Sequence, residues 1–408
     1  MSKWDEKRLE DIIDVNPPVK LKKGESYPFI DIDKVSPTRR SVTNEEVKVY
    51  DGQSSSKFCD GDTVFSRITP CLENRKIAKV TIEGDAAFGS TEFYVFRAKK
   101  KKADARFTYY LTSSDAVVLP AINSMTGASG RQRADKRFIQ RLKLNLPDLP
   151  TQERIADILS AYDDLIEANN HRIELLEQTA QELYKEWFVR FRFPGYENAK
   201  FEDGIPEGWS YVRFGKAIDI IDGDRGVNYP KQEEFYPEGD CLFLNAGNVT
   251  SKGFNFSACS YITKEKDSIL RKGKLQHGDV VLTTRGTVGN VAFYNETMTF
   301  SEMRINSGMV ILRNLGVVSP EYIYTSLHHE YLQKLMTMYA SGSAQPQLPI
   351  KDMKRMKIIK PDAKTMERFT EMSADIYNQI SLLIMKNQTL AKQRDMLLPR
   401  LMSGKLEV

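Results

Sequence analysis

Residues Ser129–Arg154 read SGRQRADKRFIQRLKLNLPDLPTQER, and residues Ser343–Arg368 read SAQPQLPIKDMKRMKIIKPDAKTMER. The second stretch lies 214 positions after the first, and each contains a basic strand-like run followed by Pro-Asp and Thr-x-Glu-Arg. The matched pairs are Leu142/Met356, Lys143/Lys357, Pro147/Pro361, Asp148/Asp362, Thr151/Thr365, Glu153/Glu367 and Arg154/Arg368. Each stretch then enters a long heptad pattern, so a globular module followed by a long helix occurs twice.

The chain has 408 residues, enough for about two to four domains that each bury a core. No run approaches the roughly 18 uncharged apolar residues of a membrane helix, and the start, MSKWDEKRLEDIIDV, is too charged for a secretory signal. The cysteines show no CxxC spacing and no neighbouring histidine cluster; they are Cys59, Cys71, Cys241 and Cys259. We therefore expect a cytoplasmic protein with reduced thiols, no metal site and no membrane contact.

The net charge of +4 is unevenly distributed. Residues 1–150 carry 27 basic and 21 acidic side chains, whereas residues 151–200 carry 6 basic and 10 acidic ones. A basic module followed by an acidic helix indicates that the module, and not the helix, faces a polyanion. The excess is small, and an ordinary soluble surface explains it nearly as well.

The first module, residues 1–146, has the pattern of a mixed α/β domain. Strand-like runs bounded by Gly, Asp and Pro cover Asp62–Ile68, Lys76–Ile82 and Thr91–Arg97. The second module repeats this pattern, because GDVVL at Gly278–Leu282 corresponds to GDTVF at Gly61–Phe65. A linker rich in Pro and Gly precedes it, so we assign linker and second module together to residues 193–360.

Two long helices follow the modules, over residues 147–192 and 361–408. The first helix has an apolar seam with one gap at Asn169, formed by Ile155, Leu159, Tyr162, Ile166, Ile173, Leu176, Ala180, Leu183 and Trp187. The second repeats every seven residues, at Phe369, Ile376, Leu383, Leu390 and Leu397. These steps of three and four residues are typical of a coiled coil, and antiparallel pairing lets each module cap an opposite end.

The pairing register follows from placing Ile155 against Leu401. In that register Asn169 falls opposite Asn387, and these two asparagines interrupt the seams. A buried Asn pair lowers stability but fixes register and orientation. Alternatively, both asparagines lie at a hydrated edge.

Several of these stretches resemble the specificity subunit of type I restriction–modification enzymes. Residues 146–191, LPDLPTQERIADILSAYDDLIEANNHRIELLEQTAQELYKEWFVRF, resemble the family's first spacer helix, and FPGYENAKFEDGIPEGW at 193–209 resembles the entry into its second recognition domain. The recognition-domain motifs are matched more loosely by GDTVFSRITPCLENRKIAKV, GSTEFYVFR and GDVVLTTRGTVGNVAFY, and LLPRLMSGKLEV fits the end of the second spacer. The resemblance covers essentially the whole chain.

The resemblance implies an α+β protein with two mixed α/β target recognition domains, joined by two long helices that form an antiparallel coiled coil. It implies a subunit that is not catalytic by itself and that recognises an asymmetric bipartite target in double-stranded DNA. Two methylation subunits and two restriction subunits complete the complex in this family. S-adenosylmethionine, ATP and Mg2+ are expected on those partner subunits, and no cofactor is expected on this chain.

Catalytic motifs are missing from the sequence. Asn16-Pro17-Pro18-Val19 lacks the aromatic ring that an amino-methyltransferase places after its two prolines, and no phosphate-binding GxxxxGK[ST] pattern occurs. His328 and His329 are adjacent, so they cannot form a helical i, i+4 metal pair. We therefore expect neither catalytic residues nor a metal site, which argues against a stand-alone methyltransferase or nuclease.

Polar residues in the loops after the Gly-Asp strands and before the basic strands are our candidates for DNA contact. Arginine can pair with guanine, and Asn or Gln with adenine, in the major groove, while other contacts hold phosphates. Each could equally be a surface or turn residue. The first-module candidates are Arg67, Thr69, Arg75, Lys76, Arg131, Gln132 and Arg133. The second-module candidates are Asn245, Asn248, Thr284, Arg285, Thr287, Asn290, Ser343, Gln345 and Gln347.

The acidic flank of the first helix does not favour DNA, and it consists of Asp163, Asp164, Glu167, Glu174 and Glu177. A protein partner is expected there, and the resemblance supplies one in the methylation subunit. The alternative function for the whole chain is a scaffold without DNA, which spaces two protein partners along a helical ruler.

Overall fold

The computed structural model describes residues 4–37, 39–43, 46–128, 130–300, 302–342 and 346–408. The chain forms two compact units, one of residues 1–166 and 390–408 and the other of residues 167–389. Each mixes helices with strands, which confirms the α+β class. No helix in the described ranges is long and apolar enough to cross a membrane.

The first half of the chain contains eleven strands and five helices in its described residues. The strands are β1 Asp5–Arg8, β2 Ile13–Val15, β3 Ser26–Ile30, β4 Ser41–Thr43, β5 Glu46–Val49, β6 Ser56–Phe58, β7 Thr63–Ser66, β8 Ile77–Thr81, β9 Ala87–Gly89, β10 Phe93–Ala98 and β11 Lys143–Leu146. The helices are α1 Leu9–Ile12, α2 Ala105–Ser113, α3 Asp115–Asn123, α4 Lys136–Gln140 and α5 Leu149–Tyr184. A π-helical turn, Lys185–Val189, continues α5.

The second half contains thirteen strands and six α-helices in its described residues. Its strands are β12 Phe201–Glu202, β13 Ile205–Pro206, β14 Ser210–Arg213, β15 Ile218–Asp222, β16 Cys241–Leu244, β17 Val249–Thr250, β18 Gly253–Phe254, β19 Tyr261–Ile262, β20 Asp279–Thr283, β21 Val291–Tyr294, β22 Met303–Ile305, β23 Met309–Asn314 and β24 Lys357–Lys360. Its helices are α6 Phe214–Ala217, α7 Lys264–Ile269, α8 Pro320–His328, α9 Glu330–Tyr339, α10 Ile350–Met353 and α11 Ala363–Met402.

The two modules share one sheet topology. The main sheet has the order β2-β10-β7-β8-β4 in the first module and β15-β23-β20-β21 in the second. A smaller sheet follows the order β5-β3-β9-β6 in the first and β19-β16-β22 in the second, and each contains one parallel pair. A separate antiparallel ribbon, β1-β11 or β14-β24, leads into each long helix. The sequence repeat is therefore a structural repeat.

The central strands are buried on both faces, which explains their nearly continuous apolar runs. In β7, Phe65 packs into a cluster with the helices, whereas its neighbour Val64 packs into a second cluster under the smaller sheet. The same alternation occurs in β20, where Leu282 and Val281 enter different clusters. Each module is thus a sheet covered by helices on one face and by strands on the other.

The Gly-Asp motif that opens the central strand has the same role in both modules. Asp62 is 2% exposed and accepts two hydrogen bonds from the Arg97 guanidinium, at 2.7 and 2.6 Å. Asp279 is 1% exposed and accepts the same pair from Arg313, at 2.8 and 2.7 Å. Each carboxylate also accepts a backbone N–H of the preceding turn. A buried carboxylate needs such partners, so the motif locks the strand start onto its neighbour.

Each compact unit contains a stretch of both long helices, and in each unit the stretches run antiparallel. In the second unit Asn169 Nδ2 donates to Asn387 Oδ1 at 2.7 Å, and Arg172 donates to Gln379 at 2.9 Å. Asn387 also donates to Asn170 at 2.9 Å. The structure thus places Asn169 against Asn387, with Asn170 as a third member that the seam pattern did not indicate.

In the first unit the stretches of the two long helices are joined by an ion pair. Asp163 is 3% exposed and accepts hydrogen bonds from Arg394 and from the Tyr110 hydroxyl. Farther along, the Arg154 side chain donates to the Val408 carbonyl at 3.1 Å, so residue numbers rise on one helix as they fall on the other. The compact units divide both long helices internally, whereas the sequence boundaries separate helix from module at residues 146 and 360.

Candidate nucleic-acid interface

The loop after β7 pairs with the segment that precedes α4. The Thr69 N–H donates to the Gln132 carbonyl at 3.0 Å, and the Ala134 N–H donates to the Arg67 carbonyl at 2.8 Å. Ile68 and Arg133 form an antiparallel bridge between these two bonds. We call this arrangement the first ladder. It brings four of the predicted residues, Arg67, Thr69, Gln132 and Arg133, to one edge of the module.

The second module contains the same ladder. The Gly286 N–H donates to the Pro346 carbonyl at 3.2 Å, and the Leu348 N–H donates to the Thr284 carbonyl at 2.9 Å. Arg285 and Gln347 form the bridge, so they occupy the places of Ile68 and Arg133. This second ladder joins the predicted residues Arg285 and Gln347. The backbone is repeated while the side chains differ.

A carboxylate organises the arginines of the first ladder. Arg133 donates to both oxygens of Glu92, from Nε at 2.9 Å and from Nη2 at 2.6 Å. Arg67 donates to Glu92 from Nε at 3.2 Å, and its guanidinium lies 5.5 Å from the centre of the Tyr94 ring. The hydrogen bond from Arg133 holds the pKa of Glu92 below its usual value, against an opposing effect of burial. Glu92 is therefore an anion that fixes two cations.

The second ladder has a glycine at the place that Glu92 occupies in the first. In the first module the Arg67 N–H donates to the Glu92 carbonyl at 2.9 Å, and in the second the Thr284 N–H donates to the Gly308 carbonyl at 2.9 Å. Gly308 therefore stands where Glu92 stands. The Nε of Arg285 is buried without a hydrogen-bond partner in the described part of the chain. Within the described residues no carboxylate pairs with Arg285, whereas Glu92 orients both arginines of the first ladder.

The three other first-module candidates are Arg75 and Lys76, which contact other parts of the module, and Arg131, which lies beside the ladder. Arg75 donates to the Ser113 carbonyl at 3.2 Å and pairs with Asp115. The Lys76 amine donates to the Ile32 carbonyl at 2.8 Å. Arg75 and Lys76 therefore join parts of the module instead of extending from the ladder. Arg131 is exposed next to the ladder, and its N–H closes a turn onto the Ala128 carbonyl at 3.0 Å.

Two second-module candidates are corrected by their burial. Asn248 is 1% exposed, and its amide donates to the carbonyls of Asn255 and Ala258 at 2.9 and 2.8 Å. Thr284 is 4% exposed, and its hydroxyl donates to the Gly308 carbonyl at 3.2 Å. Their polar side chains hold loops together, because a buried polar group has to find a partner inside the protein. Neither side chain is exposed in this structure.

The remaining second-module candidates lie in loops. The exposed Asn245 accepts the Gly247 N–H at 2.8 Å and so caps a short 3-10 turn. The amide of Asn290 donates to the Val249 carbonyl at 3.0 Å, and Thr287 is exposed. Ser343 and Gln345 lie outside the described residues. The sequence missed Glu92 and Gly308, although Glu92 is part of the quoted GSTEFYVFR motif.

The acidic flank of α5 is partly neutralised within the chain. Asp163 is buried against Arg394, so it is not a free charge on the flank. Asp164 pairs with Arg40 at 2.5 Å, and Glu174 pairs with Lys252. These carboxylates stabilise the module–helix packing inside their own units. The expectation that the flank binds a protein partner therefore rests on fewer free charges than the sequence indicated.

The described residues contain no cluster of three or more His, Cys, Asp or Glu side chains that could hold a metal ion. A cavity of about 450 Å³ in the first unit is lined by Arg40 and by the ion pairs Arg75–Asp115 and Arg394–Asp163. Arg40 pairs with Asp164, and the lining contains no glycine-rich phosphate loop.

Comparison with known proteins identifies the family. The sequence model of the type I restriction modification DNA specificity domain matches residues 1–178 and 206–389. The MjaIX specificity subunit of Methanocaldococcus jannaschii is 24% identical, with 99% of this chain and 94% of that protein covered. The HindI specificity subunit of Haemophilus influenzae is 23% identical, covering 88% and 90%.

A solved structure shares the fold. The crystal structure of a type I restriction–modification S subunit from M. genitalium matches 98% of this chain and 96% of its own, with 14% identity and a TM-score of 0.52. The sequence resemblance is thereby confirmed, and the family model covers most of the chain. This chain belongs to the type I restriction modification DNA specificity domain family.

Proposed function

We propose that this chain is the subunit that selects the DNA target of a type I restriction–modification complex. Each module reads one half of a bipartite site in double-stranded DNA. The observation that carries this proposal is the repeated ladder, which presents polar side chains on the same backbone in both modules. Membership of a DNA specificity family supports the ligand class.

The two half-sites are expected to differ in sequence. The bridging positions carry Ile68 and Arg133 in the first ladder but Arg285 and Gln347 in the second. Base recognition depends on the donors and acceptors that reach the groove, and these differ between arginine and glutamine. An asymmetric target follows from the divergence of side chains on a repeated frame.

The long helices are expected to set the unread gap between the half-sites. Their antiparallel stretches are held by a buried ion pair in one unit and by an asparagine cluster in the other. Such polar contacts fix the register of a coiled coil at some loss of stability. A fixed register is what a constant gap requires.

The chemistry of the complex belongs to other subunits in this proposal. Two methylation subunits would use S-adenosylmethionine, and two restriction subunits would use ATP and Mg2+. The curated relatives are described as specificity subunits of restriction enzymes. The present chain would contribute recognition and assembly and would bind no cofactor itself.

Salt-dependent duplex binding tests the proposal against the scaffold alternative. We expect the full chain, with its methylation subunit, to bind duplex DNA with an affinity that falls steeply as salt rises, since phosphate contacts release counterions. The measurement is fluorescence anisotropy of a labelled duplex at several salt concentrations. Assembly with the protein partner but no duplex binding at low salt would favour the scaffold.

A further inference from the structure

The Glu92–Arg133 pair leaves one edge of the guanidinium unused. Arg133 presents Nε–H and one Nη2–H to the two oxygens of Glu92, at 2.9 and 2.6 Å. Arginine has five N–H donors in a planar fork, so the second Nη2–H and both Nη1 donors remain. No hydrogen bond within the described residues uses Nη1 of Arg133, and the side chain is 44% exposed.

The unused edge has the geometry of a bidentate donor. Two parallel N–H groups match the O6 and N7 acceptors that guanine presents in the major groove. The Glu92 side chain is only 19% exposed, less than that of Arg133, so the carboxylate supports the arginine from a more shielded position. Its bidentate contact fixes the guanidinium plane before any ligand arrives, which lowers the ordering cost of binding.

A second cation stabilises the support. Arg67 donates to Glu92 Oε2 at 3.2 Å, and this is the same oxygen that accepts Nε of Arg133. The lowered pKa of Glu92 keeps the carboxylate charged at neutral pH. Two arginines around one carboxylate leave a net positive charge at the ladder, which also suits a DNA surface.

The geometry points to Arg133 as the residue that reads a guanine in the half-site of the first module, with Glu92 as its positioning residue. At the equivalent ladder place the second module has Gln347, which is exposed, and Gly308 stands at the place of Glu92. Its amide matches the N6 and N7 groups of adenine. The same ladder position thus presents different hydrogen-bonding groups in the two modules. This inference rests on the proposed function.

Methylation mapping with variants tests this assignment in cells that contain the whole complex. Wild-type cells are expected to methylate one bipartite motif with a guanine, or its paired cytosine, in one half-site. Arg133→Ala and Arg133→Gln should relax that position by about 10- to 100-fold, because both remove the paired donors to guanine, and leave the other half-site unchanged. Glu92→Gln should relax the same position less. Arg141→Ala removes an exposed arginine outside the ladder and serves as control.

A modified duplex gives the same test without any variant. Replacing the assigned guanine by 7-deazaguanine removes N7, so wild-type binding should weaken about tenfold at that position and at no other guanine. Unchanged base preference in Arg133→Gln, or equal loss of methylation at all positions in Arg133→Ala, would overturn the assignment in favour of a phosphate contact. A wild-type complex that methylates no bipartite motif would overturn the proposed function itself.

Discussion

In the first unit the ladder carries Arg133 paired with Glu92, whereas in the second Gln347 stands at the place of Arg133 and Gly308 at the place of Glu92. The backbone hydrogen bonds around these residues are the same in both. The repeat therefore keeps the same backbone hydrogen bonds and presents different side chains on them. A protein built in this way can change one recognition surface without refolding, because the ladder bonds are made by the main chain.

The attachment of each module to its long helix shows the same contrast. In the first unit Tyr110 of α2 donates to Asp163 of α5, which also pairs with Arg394. In the second unit Thr325 of α8 lies 2.6 Å, hydroxyl to hydroxyl, from Tyr377 of α11. Asp163 and Tyr377 are equivalent at the offset of the sequence repeat, so a charged contact in one unit replaces a neutral one in the other.

The largest effect is expected when the charged contact is broken. Asp163→Ala should lower the stability of the first unit by about 3 kcal/mol, because it leaves Arg394 partly buried without its main partner. Tyr377→Phe should cost the second unit only about 1 kcal/mol, the typical net contribution of one hydrogen bond. Hydrogen exchange, read separately in each unit, measures both. Equal losses in the two variants would contradict the contrast.

A smaller effect is expected at the second ladder. Arg285→Ala should weaken duplex binding by about tenfold and reduce the salt dependence, because it removes a positive charge from the edge. Anisotropy titrations at two salt concentrations measure this. Arg355→Ala is the control, since its side chain is 73% exposed and pairs with Asp352 within its own turn. Unaltered affinity for Arg285→Ala at moderate salt would remove Arg285 from the interface.

The asparagine cluster offers a gain of stability. Changing both Asn169 and Asn387 to leucine should raise the free energy of unfolding by about 1 kcal/mol, since half-buried apolar side chains replace polar ones. The same change should loosen the register that the asparagines define. Thermal unfolding tests stability, and cysteine cross-linking across the helix pair tests register. A sharp loss of stability would contradict the pairing account.

The last prediction concerns pH. Burial raises the pKa of Glu177 to about 7, from an ordinary value of 4.5, with Lys252 opposing. The folded protein thus holds this proton more tightly than the unfolded chain, so stability should fall as pH rises from about 4.5 to about 7 and then level off. Glu177→Gln should remove this component of the pH dependence in thermal unfolding scans. Glu182→Gln, an exposed change on the same helix, should not.

The periodic elements could be predicted from sequence. The sevenfold spacing from Phe369 to Leu397 and the interruption at Asn169 indicate a helix pair, because helical periodicity is local. The Gly-Asp motifs locate the central strands because they, too, are local features of the sequence. The side chain of Asn248 could not be placed, since its partners depend on how a turn folds back.

The contact between Arg133 and Glu92 could not be predicted from the sequence either. Glu92 lies 41 positions earlier and meets it only through sheet pairing and the ladder. Contacts of this kind depend on tertiary structure and leave no spacing pattern. The sequence located both loops of the ladder. It could not tell which of their side chains are exposed and which, like Thr284, are buried and hydrogen-bonded within the module.

The most direct test of the central claim is N6-methyladenine mapping of the source genome with and without the gene for this chain. We predict that one bipartite motif with two different half-sites loses methylation when the gene is removed and regains it when the gene is restored. An unchanged map in cells that contain an active methylation subunit would contradict the account.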